Sequence, residues 1–169
     1  MTKVLILSDS HGLRDEIIEI KERHQLKHMI HCGDSELDMD ALELDGLIKV
    51  GGNTDHDARL PEEQKITING LTFFVIHGHL HNVKANLMTA GYRAEEAGAQ
   101  VICFGHTHIA GAEQIGEQLF INPGSIRLPR NRPEKTYAIM EFDSTDDITV
   151  TFYTVDGEVV DELTYHASL

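Results

Sequence analysis

The stretch VICFGHTHIA, residues 101–110, ends an apolar run at a glycine and then places two histidines one residue apart. Val101 to Phe104 show no polar alternation, the pattern of a strand buried on both faces. His106 and His108, with Thr107 between them, can turn toward one point because the strand has just ended. Two imidazoles so placed suit a metal site or a catalytic loop.

Other buried runs end in the same way. KVLILS, residues 3–8, leads into Asp9-Ser10-His11 and then LRDEIIEIKERH, whose apolar positions 13, 17, 18 and 20 have amphipathic helix spacing. The unit repeats: LKHMIHCGD reads as a strand ending at Asp34, SELDMDALEL (35–44) as a short helix, and GLIKVGGNTD as a strand ending near Gly51. EQKITINGLTFFVIHGH holds two alternating runs around Asn69-Gly70, whose tolerance of positive φ marks a hairpin, and its second run ends at His77. Residues 84–98 read as a helix, and residues 110–125 as a hairpin turning at Gly116-Glu117. The tail from residue 136 reads as antiparallel strands with turns at Asp146-Asp147 and Asp156-Gly157. Two packed sheets with helices outside would bury both kinds of strand.

Composition narrows the classes of function. The 169 residues, 41% hydrophobic, suit one domain spanning 1–169. No apolar run approaches the roughly 18 residues of a membrane span, and MTKVLILSDSH is too short a run for a signal peptide, so a cytoplasmic protein is expected. Cys32 and Cys103 lack the C-x-x-C spacing and read as reduced core residues. A net charge of -14, with RLPRNRPEK (127–135) the one basic cluster, argues against nucleic acid as main partner and against a nuclease. A small anionic substrate stays compatible, because bound cations can dominate the field of an acidic protein.

The polar residues at the strand ends are Asp9, His11, Asp34, Asn53, His77, His106 and His108. In open α/β sheets the carboxyl ends of strands are where ligands bind, so these side chains are expected to meet on one rim. Two carboxylates, one amide and four imidazoles have the chemistry of a dinuclear metal centre. Two such ions can clamp a phosphoryl group and generate a hydroxide for in-line attack. His24, His28 and His166 read as ordinary solvated or hydrogen-bonded histidines, and His31 and His81 stay open between the two readings.

Asp9-Ser10-His11, Gly33-Asp34, Gly52-Asn53-Thr54-Asp55, His77-Gly78-His79 and Gly105-His106-Thr107-His108 occur in that order. Together they resemble the blocks of the calcineurin-like metallophosphoesterases, and INPGS (121–125) resembles an additional block of the small prokaryotic phosphodiesterase branch. The resemblance implies a four-layer αββα sandwich of two mixed sheets flanked by helices. It implies one ion on Asp9, His11, Asp34 and His108 and another on Asp34, Asn53, His77 and His106, with Asp34 bridging. The ions expected are manganese first, with nickel, zinc or iron as alternatives, and the substrate is a small phosphate ester. His79 would help to hold the phosphate, Ser125 and Arg127 would lie near it, and Asp55 would orient a ligand or a histidine.

One departure stands out. The third block often reads Gly-Asn-His-Asp/Glu, and here Thr54 replaces the histidine that can protonate a leaving group. A threonine hydroxyl is too weak an acid for that task, which leaves His56, His79, water or metal assistance, and favours activated diesters. The competing reading is a binding scaffold of the same fold that has lost the chemistry, as in the retromer scaffold of that superfamily. The complete ligand set argues for the enzyme. A homo-oligomer through the β-rich tail stays open.

Overall fold

The residues of the first strand alternate between two different packing layers. In the computed structural model, which describes residues 1–169, β1 (Thr2–Leu7) is fully buried from Val4 onward. Val4 and Ile6 enter a core cluster with Phe73, Val75, Val101, Cys103 and Ile121, while Leu5 and Leu7 pack with Ile17 and Ile20. A strand buried on both faces needs no polar alternation, which is the pattern of KVLIL.

Ile17 and Ile20 belong to α1 (Asp15–His24), which carries Asp15 and Glu16 in its first turn and Lys21, Arg23 and His24 in its last, both favourable to the helix dipole. After it come β2 (His28–His31), β3 (Leu47–Lys49), the hairpin β4 (Glu63–Ile68) and β5 (Leu71–Ile76), and α2 (Met88–Glu96). Then follow β6 (Val101–Cys103), β7 (Gly111–Ile115), β8 (Gln118–Asn122), β9 (Thr136–Ser144), β10 (Asp147–Thr154) and β11 (Tyr165–Ala167).

These strands form two mixed sheets. The first has the order β11-β10-β9-β1-β2-β3, with β1, β2 and β3 parallel; the second has the order β4-β5-β6-β8-β7, with β5, β6 and β8 parallel. A core of 21 buried residues lies between the sheets. Helix α1 covers the outer face of the first sheet, and α2, through Ala90 and Ala94, covers Phe74, Ile76, Ile102 and Phe120 of the second. The architecture is the expected αββα sandwich, with one α-helix in each outer layer. No helix is long and apolar enough to cross a membrane.

Three local expectations are corrected. Residues 35–44 form no α-helix but an irregular loop ending in a 3-10 turn at Leu42–Leu44. Their N–H groups bond elsewhere: Glu36 donates to Asp55 Oδ1 at 2.7 Å and Met39 to Asp57 Oδ2 at 2.8 Å. The helix expected over 84–98 is limited to Met88–Glu96, preceded by turns. The β9–β10 turn falls at residues 145–146, one residue before the expected Asp146-Asp147, next to a register shift at Asp147/Ile148. The Asn69-Gly70 turn lies where expected, with φ of 46° and 90°.

Candidate metal centre

The parallel strands of both sheets deliver their carboxyl ends to one place. Asp9 and His11 follow β1, Asp34 follows β2, Asn53 follows β3, His77 follows β5, and His106 and His108 follow β6. Asp9, His11, Asp34, His106 and His108 all have positive φ, between 41° and 71°. Left-handed backbone at a non-glycine residue costs free energy and tends to persist where a site requires it. Here it turns each side chain sharply out of its strand direction.

The donor atoms converge. One donor atom from each of Asp9, His11 and His108 lies within 4.8 Å of the other two, and the same holds for Asp9, Asp34 and His77. His108 Nε2 is 3.2 Å from Asp9 Oδ1 and 3.3 Å from His11 Nε2. His77 Nε2 is 3.2 Å from Asp34 Oδ2, 3.1 Å from Asn53 Oδ1 and 3.8 Å from Asp9 Oδ1. Asp34 Oδ2 also comes within 3.9 Å of His11 Nε2, so each carboxylate faces imidazoles of both groups. His106 is set slightly apart, its ring centroid 5.1 Å from that of His77.

The far side of three imidazoles is anchored. His77 Nδ1 donates to the Cys32 carbonyl at 2.8 Å, His108 Nδ1 to the Leu128 carbonyl at 2.7 Å, and His11 Nδ1 to Glu36 Oε2 at 2.5 Å. With Nδ1–H committed outward, each ring turns Nε2 toward the carboxylates, the arrangement by which protein groups orient metal-ligating histidine. Asp9 Oδ1 is buried with no hydrogen-bond donor, although Ser8 Oγ and the His106 N–H serve the other oxygen at 2.5 and 3.1 Å. A buried carboxylate oxygen left without a donor is costly unless a cation meets it. The cup therefore fits divalent ions.

Electrostatics agree with the geometry. Burial pushes the Asp9 carboxyl up, but His108 and His77 outweigh it and hold it below the ordinary carboxylate value. Asp34 is likewise held well below that range, His77 and the Thr54 N–H overcoming its burial. Burial alone would lower His77, yet Asp34 and Asp9 raise it; Asp9 raises His108. Burial and the His77 charge instead push His106 down to about 4.

Glycines let backbone approach the cup. A Cβ on Gly52 would collide with Asp34 Oδ1, and one on Gly105 would collide with Ser8 Oγ and Asp9 Oδ2. Asp55 clamps the adjoining loops, its Oδ2 accepting from the N–H groups of Asp34 and Gly52 at 2.8 and 2.7 Å. It thereby fixes the backbone of Asp34, a candidate ligand. His79 is partly buried beside His77, ring centroids 5.4 Å apart, with Nδ1 unpartnered; His56 is exposed.

Ser125 and Arg127 are both tied to the backbone of the Asp9–His11 loop. Ser125 is fully buried; its hydroxyl donates to the Asp9 carbonyl at 2.7 Å and accepts from the N–H groups of Leu128 and Arg127 at 2.8 and 3.1 Å. That position secures the Asp9 loop. Arg127 is exposed, with Nη1 on the His11 carbonyl.

Sequence reasoning missed Glu36, Asn122 and the role of His31. Asn122 Nδ2 donates to Thr107 Oγ1 at 2.9 Å and to the Gly105 carbonyl at 3.2 Å, holding the loop of His106 and His108. The Asn-Pro-Gly sequence was the available signal. His31, pushed down to about 4 by burial, accepts the Gly33 N–H at Nδ1 and meets Ser10 Oγ with Nε2 at 2.9 Å. His81 is buried against Glu63, at 2.7 Å.

Fold and donor set together define a class: a two-sheet sandwich with a metal-type cup at its strand ends. The calcineurin-like phosphoesterase superfamily domain matches residues 2–145, and the chain belongs to that family. It is 46% identical over 168 residues, 98% of this chain and 99% of the other, to the probable metallophosphoesterase YsnB of Bacillus subtilis strain 168. A solved structure from Streptococcus pneumoniae TIGR4, a conserved uncharacterized protein described as a predicted phosphoesterase, superposes with a TM-score of 0.94 at 34% identity, covering 99% of this chain and 98% of that one. Vps29 of Entamoeba histolytica in complex with zinc has a TM-score of 0.76 at 19% identity over 98% of both chains, a likeness of fold alone.

Proposed function

We propose that this chain is a phosphodiesterase that holds two divalent ions, manganese foremost, and hydrolyses a small phosphate ester. The observation that carries the reading is the set of three imidazoles whose Nδ1 atoms are anchored outward and whose Nε2 atoms face a buried, donor-less oxygen of Asp9. Asp9, His11, Asp34 and His108 would hold one ion; Asp34, Asn53, His77 and His106 the other. Asp34 lies between the two groups of imidazoles and would serve both. Bound ions would polarise the phosphoryl oxygens and lower the pKa of the attacking water.

The remaining residues position these groups. Asp55, Ser125 and Asn122 fix the loops of Asp34, Asp9 and His106-His108. His79, on the His77 side, and Arg127, on the His11 side, flank the cup where a phosphate would enter. With Thr54 in place of a histidine, no strong general acid stands at the third block, so esters with good leaving groups are favoured, the proton coming from His79 or water.

The test is hydrolysis of bis-p-nitrophenyl phosphate and p-nitrophenyl phosphate by chelator-stripped protein, before and after manganese is added. Restored cleavage that favours the diester supports the reading, and Asp34→Asn should abolish it. Unchanged turnover by that variant at saturating manganese would refute the bridging role. The likeness to Vps29 keeps a binding scaffold as the second reading; silence toward both esters, across several metals with binding confirmed, would favour it.

A further inference from the structure

Bases are outnumbered two to one by acids in this chain, 14 against 28, and ten of them hold a carboxylate, hydroxyl or carbonyl. Lys84 and Arg130, both exposed, are among the four that hold none, and both belong to loops that bear on the metal cup. Arg130 donates its backbone N–H to the His108 carbonyl at 3.0 Å, and His108 Nδ1 bonds the Leu128 carbonyl at 2.7 Å, so segment 128–130 is clipped twice to this candidate ligand. Lys84 follows Val83, whose side chain lies under Gly78 and whose N–H bonds the Gly78 carbonyl at 3.4 Å, folding the turn back on His77-Gly78-His79. Val83 lines one cavity with Phe104 and Thr107, which sets the Lys84 turn beside the His106–His108 loop that Arg130 also bonds.

Two unpaired cations beside one loop of the cup have a chemical consequence. Two divalent ions on the carboxylates of Asp9 and Asp34 would already more than offset the single negative charge of a scissile diester. Further cations are needed only for further negative charge, which the overall charge of -14 would otherwise repel. A guanidinium fork suits phosphate in particular. We infer that Lys84 and Arg130 bind a second phosphate of the substrate on the His106–His108 side of the centre. The ester cleaved then carries a phosphate besides the scissile one. This inference rests on the phosphoesterase reading for the identity of the ligand.

The experiment compares calorimetric binding of thymidine 3′,5′-bisphosphate and thymidine 5′-monophosphate to manganese-loaded protein, for the parent chain, Arg130→Met and Lys84→Met. Neither side chain has a partner to lose, so both variants should fold. The bisphosphate should bind about tenfold tighter, the worth of a charged hydrogen bond, and each substitution should bring the ratio toward one. Equal binding of the two nucleotides by the parent chain, or a preference untouched by both substitutions, would overturn the inference. Hydrolysis of bis-p-nitrophenyl phosphate by the same preparations separates the two readings: a preference that depends on Arg130, without turnover, sustains the second-phosphate site while removing the hydrolase.

Discussion

Glu36 Oε2 accepts the Nδ1 hydrogen of His11 at 2.5 Å. The contact depends on a left-handed residue, since Glu36 has φ 59° and is fixed by its own N–H on Asp55. Carboxylates behind a metal-ligating imidazole fix its tautomer and raise its basicity. Glu36→Gln should therefore weaken metal binding on the His11 side by about 10- to 100-fold while the fold stays intact. Competition with a chelator of known affinity would measure it, and an unchanged affinity would remove Glu36 from the site.

Metal affinity should climb with pH. His77 and His108 have folded pKa values raised above 6.5, so in metal-free protein their pairing with the carboxylates is fully present below 6.5 and is lost as pH rises through the raised values. Asp9 and Asp34 are depressed below 3.8, so their contribution is present above 3.8 and is lost as pH falls through the lowered values. The ions must displace the imidazolium protons, giving about a tenfold gain in affinity per pH unit for each proton displaced, up to those raised values. Calorimetry in buffers of different ionisation enthalpy would count the protons; none released between pH 6 and 7 would contradict the assignment.

Gly52→Ala and Gly105→Ala should each destabilise the protein by about 1–3 kcal/mol and weaken metal binding, because the new methyl displaces Asp34 or the Ser8–Asp9 pair. Gly116→Ala is the control. Gly116 has φ 61°, and a methyl added there would meet nothing within 4 Å, so the variant should lose about 1 kcal/mol through backbone strain and keep its metal affinity. Thermal melts with and without manganese distinguish the two patterns.

Ser125→Ala strips the donor from the Asp9 carbonyl and the acceptor from two backbone N–H groups, all at a fully buried position. A loss of about 1–3 kcal/mol in stability, with weakened metal binding, is expected. With metal saturating, the KM for bis-p-nitrophenyl phosphate should move little. A large rise in KM at unchanged stability would instead place the hydroxyl on substrate.

The strand ends were legible because their signal is local. A buried parallel strand is largely apolar, so the polar residues that follow KVLIL, HMIH, LTFFVI and VIC mark where the chain leaves the core. Asp9, Asp34, His77 and His106, each within three residues of such a strand end, are among the candidate donors. The 35–44 segment misled for the opposite reason: its charges suit a helix, but the carboxylates of Asp55 and Asp57, some twenty residues on, take its N–H groups.

By its sequence alone the chain declares its two-sheet architecture and the residue types at its rim, since periodicity, turn residues and the ends of apolar runs are properties of neighbours along the backbone. Which way each imidazole points, and whether a polar side chain serves the site or its scaffold, depends on partners far away in sequence. The His106 N–H meets Asp9 across 97 residues, and Ser125 reaches the Asp9 carbonyl across 116. Only packing of the two sheets brings such groups within hydrogen-bond range, and there burial makes every unpaired polar atom costly enough to settle its role.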